Sequence, residues 1–244
     1  MAKIFSVSLA LAATLPLAAQ FQTRLSPRTD QAFEDYRKAA EAHFDGRPHF
    51  PSGLKSGQVE IVPANNTGPM DVPDGLIHDW IAATIAPAAT VDKTLALLQN
   101  YADYKYIYRG DVADSKLLRR DGDLWHIYLR LVKKQVFTVV LNGEFDVQYR
   151  PLGNNRWSLL SRSTHIAEVD GDRELPAGQG RGFLWRLNSY WLIEPRPEGV
   201  YLECRSISLS RGIPFGKGLV EPFLSSVPRE SLQNTMEATL RALR

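Results

Sequence analysis

Between residues 157 and 169, alternate positions read Trp157, Leu159, Ser161, Ser163 and His165. Side chains of a strand alternate between its two faces, so this spacing carries His165 and two serines to the side of Trp157 and Leu159. A neutral imidazole held there can hydrogen-bond a carbonyl or hydroxyl, or act as a general base. It can equally be satisfied by a serine or a backbone group, the commoner fate of a buried polar side chain. His78-Asp79 supplies a second acid/base candidate, because Asp79 shares the parity of Ile77, Ile81 and Ile85 and turns inward with them. Its competing placement is near a strand end, accepting hydrogen bonds from the preceding arm or from Trp80. Ser189, Ser206 and Ser208 complete the inward polar minority. Cys204, in phase with Leu202 and Ser206, reads as a small core residue rather than a nucleophile.

Other chemistries are excluded by the residues themselves. There is no Gly-x-Ser-x-Gly elbow and no phosphate-binding Gly-x-x-x-x-Gly-Lys-Ser/Thr loop. The five histidines lack metal-ligand spacing, so neither a metal nor another cofactor is expected. One cysteine excludes an intrachain disulfide. Gly178-Gln179-Gly180-Arg181-Gly182 precedes a strand rather than a helix, which makes it a flexible loop suited to gating a cavity, not a dinucleotide fingerprint. Across 244 residues, 29 basic and 27 acidic side chains nearly cancel, which leaves no electrostatic footprint for nucleic acid. With 44% hydrophobic and 23% charged residues, the chain has the balance of an ordinary globular protein.

The elements that must position these groups follow in order. Lys3 precedes an uncharged run from residue 4 to residue 19, ending Leu17-Ala18-Ala19. This predicts a secretory signal peptide (1–19) cleaved after Ala19, and hence an exported, periplasmic or secreted protein. An uncleaved anchor is the competing reading, but the run is short for a membrane span. Residues 20–74 form an N-terminal helix and a connecting arm. Ser26-Pro27 starts the helix, Phe33, Tyr36, Ala40 and Phe44 give it one apolar stripe, and Asp45-Gly46 ends it. The arm, rich in Gly, Pro and Asn, holds one strand-like piece at 58–62.

Residues 75–244 form the main body. Strands are predicted at 76–85, 112–118, 124–132, 136–149, 157–169, 183–194 and 200–209, with a short helix capped by Thr90 and an aromatic turn at Tyr101, Tyr104, Tyr106 and Tyr108. The connections carry turn residues such as Asp121-Gly122-Asp123 and Gly153-Asn154-Asn155, which implies an antiparallel meander. A final helix, capped by Ser225 or Ser226 with Pro228 in its first turn, places Leu232, Met236, Leu240 and Leu243 on one face. One strand parity collects Trp125, Leu129, Phe137, Val139, Leu141, Trp157, Trp185 and Trp191; the other collects Arg130, Glu144, Arg162, Glu168, Arg186, Glu203 and Arg205. The first is a packed face and the second a solvated one, where opposite charges pair across strands. A bulge would invert this assignment locally and bring a charge inside.

The order strand, two small helices, six-strand meander, long C-terminal helix resembles the helix-grip fold of the START/SRPBCC superfamily. That superfamily holds lipid-transfer START domains, polyketide cyclases and coenzyme-Q-binding proteins. Local sequence adds to the likeness. Leu95-Ala96-Leu97-Leu98-Gln99-Asn100-Tyr101, Gly182-Phe183-Leu184-Trp185-Arg186-Leu187-Asn188-Ser189-Tyr190-Trp191, residues 206–214 and Pro228-Arg229-Glu230-Ser231-Leu232 are similar to uncharacterised exported bacterial members. The resemblance covers residues 75–244 and implies an α+β fold, a seven-stranded curved antiparallel sheet wrapped around a long C-terminal helix. It implies a cavity lined by the apolar-parity residues named above, with Ser161, Ser163, His165 and Ser189 as its polar members and Met236 and Leu240 contributed by the helix. The expected partner is a hydrophobic small molecule (lipid, quinone or polyketide-like), bound or carried in the cell envelope, with transient membrane contact. Two alternatives stand beside it: a cyclase or hydrolase using His165 or Asp79 as acid/base, and a non-catalytic interaction module with a filled core. Oligomeric state stays open.

Overall fold

Ser26 caps the first helix, its hydroxyl accepting the Thr29 N–H at 3.1 Å, and Pro27 occupies the first turn, where its missing N–H has no partner to lose. This helix, α1 (Pro27–Ala42), follows a two-residue strand β1 (Thr23–Arg24). The computed structural model describes residues 22–44, 48–50, 53–134, 138–212 and 221–244, the side chains of 221–225 excepted. The segment 1–19, Asp45-Gly46, Phe137 and residues 213–220 lie outside the described residues.

The arm supplies β2 (Glu60–Pro63) and β3 (Met70–Val72), and the body opens with β4 (Gly75–Pro87). Thr90 caps α2 (Val91–Gln99), and a tight turn at Tyr101–Asp103 leads into the short α3 (Tyr104–Ile107). The meander runs through β5 (Val112–Asp121), β6 (Leu124–Lys134), β7 (Thr138–Gly153) and β8 (Arg156–Asp170), then two short pieces, β9 (Arg173–Glu174) and β10 (Gln179–Gly180). It ends with β11 (Arg186–Arg196) and β12 (Gly199–Arg211), and α4 (Glu221–Ala242) closes the chain. The sheet order is β2-β4-β12-β11-β8-β7-β6-β5, every pair antiparallel, so the seven long strands are those the turn chemistry predicts. Two turns show why. Asn154 and Asn155 both take left-handed backbone, which asparagine tolerates, between β7 and β8. Gly199 (φ 149°) starts β12 where a Cβ would stand 2.0 Å from the Ala86 carbonyl oxygen.

Four features differ from expectation. First, α4 begins at Glu221 and carries Pro228 inside it rather than in its first turn. Second, β8 contains a bulge at Thr164: Phe145 of β7 faces Ser163, but Glu144 faces His165. The extra residue reverses alternation, sending His165 outward and bringing Ile166 and Glu168 inward. Third, the face read as solvated is covered by α1 over β4, β12, β11 and β8, where Phe33 and Ala40 pack on Ile77, Leu160, Ile207 and Leu209. There Arg162, Arg186 and Arg205 anchor the helix, while Glu144 on β7 still faces water. Arg162 and the Tyr190 hydroxyl meet Glu41, and Arg186 meets Asp30 at 2.9 Å. Fourth, the 178–182 loop is pinned, not gating. Gln179 and Gly180 pair with β1, and the Glu168 carboxylate accepts the Arg181 and Phe183 N–H groups.

The inner face receives α2, α3 and α4, with Met236, Leu240 and Leu232 packed on Ala82, Ala86 and Leu202. The result is three layers: α1, the sheet, and the helices that fill its concave side.

Candidate functional site: the cavity between sheet and helices

A cavity of about 250 Å³ lies between the inner face of the sheet and helices α2–α4. That is close to the lower end of small-molecule sites, which run from about 300 to 1,000 Å³. Alternation along β6 and β7 supplies much of its wall: Ile127, Leu129 and Leu131 from one strand, Val139, Leu141 and Phe145 from the next. Trp191 and Leu187 come from β11, Leu232 and Thr235 from α4.

Three tyrosines from the α2–α3 turn make the opposite wall, and their hydroxyls are all engaged. Tyr101 donates to the Tyr149 hydroxyl (2.7 Å), which itself donates to the Leu98 carbonyl at 2.8 Å. Tyr104 donates to that same carbonyl, and Tyr108 pairs with Thr239 Oγ1 at 3.1 Å. Burial opposes the phenolate and holds all four tyrosines neutral, pushing Tyr108 up to about 12 and Tyr104 and Tyr149 well above the ordinary value. Burial also pushes the Cys204 thiol far up, so the one cysteine on the cavity wall is unreactive. A polar corner is formed by Lys133 and Asp111, 3.2 Å apart, with the Asn234 amide donating to the second Asp111 oxygen.

Of the residues predicted for this site, Leu129, Val139, Leu141, Ser161, Ser189 and Trp191 line the cavity. The others do not. His165 stands outside, beside Glu174 (3.2 Å), because of the bulge one residue before it. Ser163 precedes the bulge but spends its hydroxyl on the Leu187 N–H. Trp185 sits before β11 begins and joins Phe33 and Ile77 under α1. Trp125 is buried behind the lining, between Tyr101 and Tyr149 with ring centroids at 5.8 and 5.5 Å. Trp157, Met236 and Leu240 pack into the same adjoining core.

Asp79 also faces away from the cavity. Its carboxylate accepts Arg205 Nε at 2.9 Å and the Tyr36 hydroxyl at 2.7 Å, a buried seam between β4, β12 and α1. The inward residue of that pair is His78, fully buried, with Nε2 against Ser210 Oγ and Nδ1 without a partner among the described residues. Desolvation alone lowers its pKa to about 4. The parity of β4 was unreadable because both its faces are covered, leaving an apolar run with no alternation. The tyrosines were legible in part: positions 101, 104 and 108 recur at helical spacing. Nothing local marks Asp111 and Lys133, which the fold brings together from the turn before β5 and from β6.

No family model matches the chain, and no curated protein matches it. Among solved structures, human STARD10 superposes with a TM-score of 0.51 at 12% identity, covering 93% of this chain and 84% of its own. The human StarD13 (DLC2) lipid transfer and protein localization domain gives 0.50 at 12% identity, over 91% of this chain and 99% of its own. A STAR-related lipid transfer protein fragment from Xanthomonas axonopodis gives 0.47 at 17% identity, over 70% and 96%. At such identities the likeness is one of fold. The antiparallel sheet, ten strands among the described residues once β3 on β4 and β9 on β8 are added to the eight in order, is closed on its concave side by a C-terminal helix; this is the START-type helix-grip fold, and this chain has it.

Proposed function

We propose that this protein binds a largely apolar small molecule in the cavity between the sheet and α2–α4, and that it does so in the cell envelope. One observation carries the reading: the concave side is not filled, and the space left is walled by aliphatic and aromatic side chains. Burying about 200 Å² of apolar ligand surface contributes about 5 kcal/mol before ordering costs are met. A lipid-like ligand agrees with the lipid-transfer designation of the StarD13 domain. The acid/base alternative loses its residues, since neither His165 nor Asp79 reaches the cavity. The charge-free run before Gln20 supports export.

Native mass spectrometry of the protein purified from its own host's envelope fraction, followed by organic extraction, tests both parts. A stoichiometric apolar compound on a chain beginning at Gln20 is the expected result. A bare mass that persists after exposure to a host lipid extract would overturn the binding reading; an intact Met1 would overturn cleavage after Ala19, and recovery of the protein from the cytoplasmic fraction instead would overturn export.

A further inference from the structure

Ser161 of β8 stands directly opposite Ser189 of β11, and Ser189 directly opposite Ser206 of β12. All three line the cavity, so one rung of the sheet carries three hydroxyls in a row across its wall. The rung continues to Trp80 of β4, whose Nε1 is buried without a partner among the described residues. In the next rung Ser208, also on the cavity wall and only 4% exposed, stands opposite His78 with its unpartnered Nδ1. None of the four serine hydroxyls makes a hydrogen bond to a described residue, whereas the tyrosine hydroxyls around the same cavity are all satisfied. Ser161, Ser189 and Ser206 are half-buried and open to the cavity, so their hydroxyls stand available to a ligand, whereas packing alone is served equally well by alanine.

Neighbouring strands lie about 4.8 Å apart, so the hydroxyls recur at about that interval along a straight line. An acyl chain with one terminal headgroup meets such a line at one point only. Two oxygens set 1,3 on a ring stand at about the separation of the row, and each can donate to or accept from a serine. From this register, and resting on the binding reading above, we infer that the cavity selects an apolar ring system bearing 1,3-related oxygens, held by Ser189 and Ser206 with Ser161 beside them. The hydroxyl row sets ligand orientation, and the aliphatic wall supplies most of the affinity.

The test is calorimetric titration of the full chain with 5-pentylresorcinol, 3-pentylphenol and pentylbenzene, repeated with Ser189→Ala, Ser206→Ala and the double variant. Each hydrogen bond is worth about fivefold in affinity. Wild-type protein therefore binds the resorcinol at least about tenfold more tightly than pentylbenzene, with the phenol between them. Each serine variant loses about three- to tenfold on the resorcinol and leaves pentylbenzene within about twofold. Equal affinities for the three probes, or losses that fall equally on all of them, overturn the inference while the binding reading stands. Failure of every probe to bind the wild-type chain overturns both.

Discussion

His78 carries a pH dependence that can be read from its surroundings. Burial without a counter-charge lowers its pKa to about 4, so the folded chain refuses a proton that the unfolded chain accepts near 6.5. Between those values the unfolded state binds more protons, and stability is lost as pH falls. From pH 7 to pH 5 this single group accounts for about 2 kcal/mol. The Glu41 carboxyl, where burial is outweighed by Arg162, Tyr190 and Arg37 so that it is held below its ordinary range, adds loss of the same sign at lower pH. Urea midpoints at pH 7 and pH 5 for wild type and His78→Asn separate the two: the variant retains most of its pH 7 stability at pH 5. An equal fall in both proteins would show that His78 does not carry the slope. His165, by contrast, sits at the surface with Glu174, and its alternating neighbours misplace it because one extra residue in β8 is invisible to periodicity.

At the scale of elements, the defining contact is α1 on the convex side of the sheet. It combines an apolar stripe, Phe33 and Ala40, with ion pairs whose sheet partners are Arg162, Arg186 and, through Tyr36, the Asp79–Arg205 pair. The Asp79 side chain is almost fully buried, and that of Arg205 is 16% exposed. Removing one partner of a buried pair leaves the other charged and desolvated, at a cost of about 3–5 kcal/mol. Asp79→Ala should therefore lower unfolding stability by that amount, measured by chemical denaturation at neutral pH. Replacing both members by apolar residues, Asp79→Leu with Arg205→Met, should recover most of the loss. A change below about 1 kcal/mol in the single variant would mean that this seam does not fasten the layers. The helix stripe and its Ser26 cap were plain in the sequence; the sheet residues it covers were not, because charges on a strand look alike whether they meet water or a helix.

For the whole molecule, the cavity exists because the helices span the concave side without filling it. Leu129, near the middle of β6 and lining the cavity, is the position from which to close it. Leu129→Trp should abolish binding of apolar probes while leaving the far-ultraviolet circular dichroism spectrum unchanged, with an overpacking cost of about 1–3 kcal/mol. Retained binding would place the ligand elsewhere. Turn residues at 121–123, 153–155 and 197–199 and the spacing of apolar residues on α4 are local signals. They determined the seven strands, their antiparallel order and the closing helix, which together give the fold class. Strand alternation also placed Leu129, Val139, Leu141, Ser161, Ser189 and Trp191 on one wall, since a strand with one wet and one dry face records its orientation in every second residue. Tertiary structure alone decided the rest. β4 is dry on both faces and so records nothing, which exchanged His78 for Asp79. A single inserted residue in β8 turned His165 out and Glu168 in. The hairpin of β11 and β12 sets Ser189 opposite Ser206, but Ser161 joins the row only because β8 pairs with β11 across the segment that holds β9 and β10, a register that no residue carries by itself.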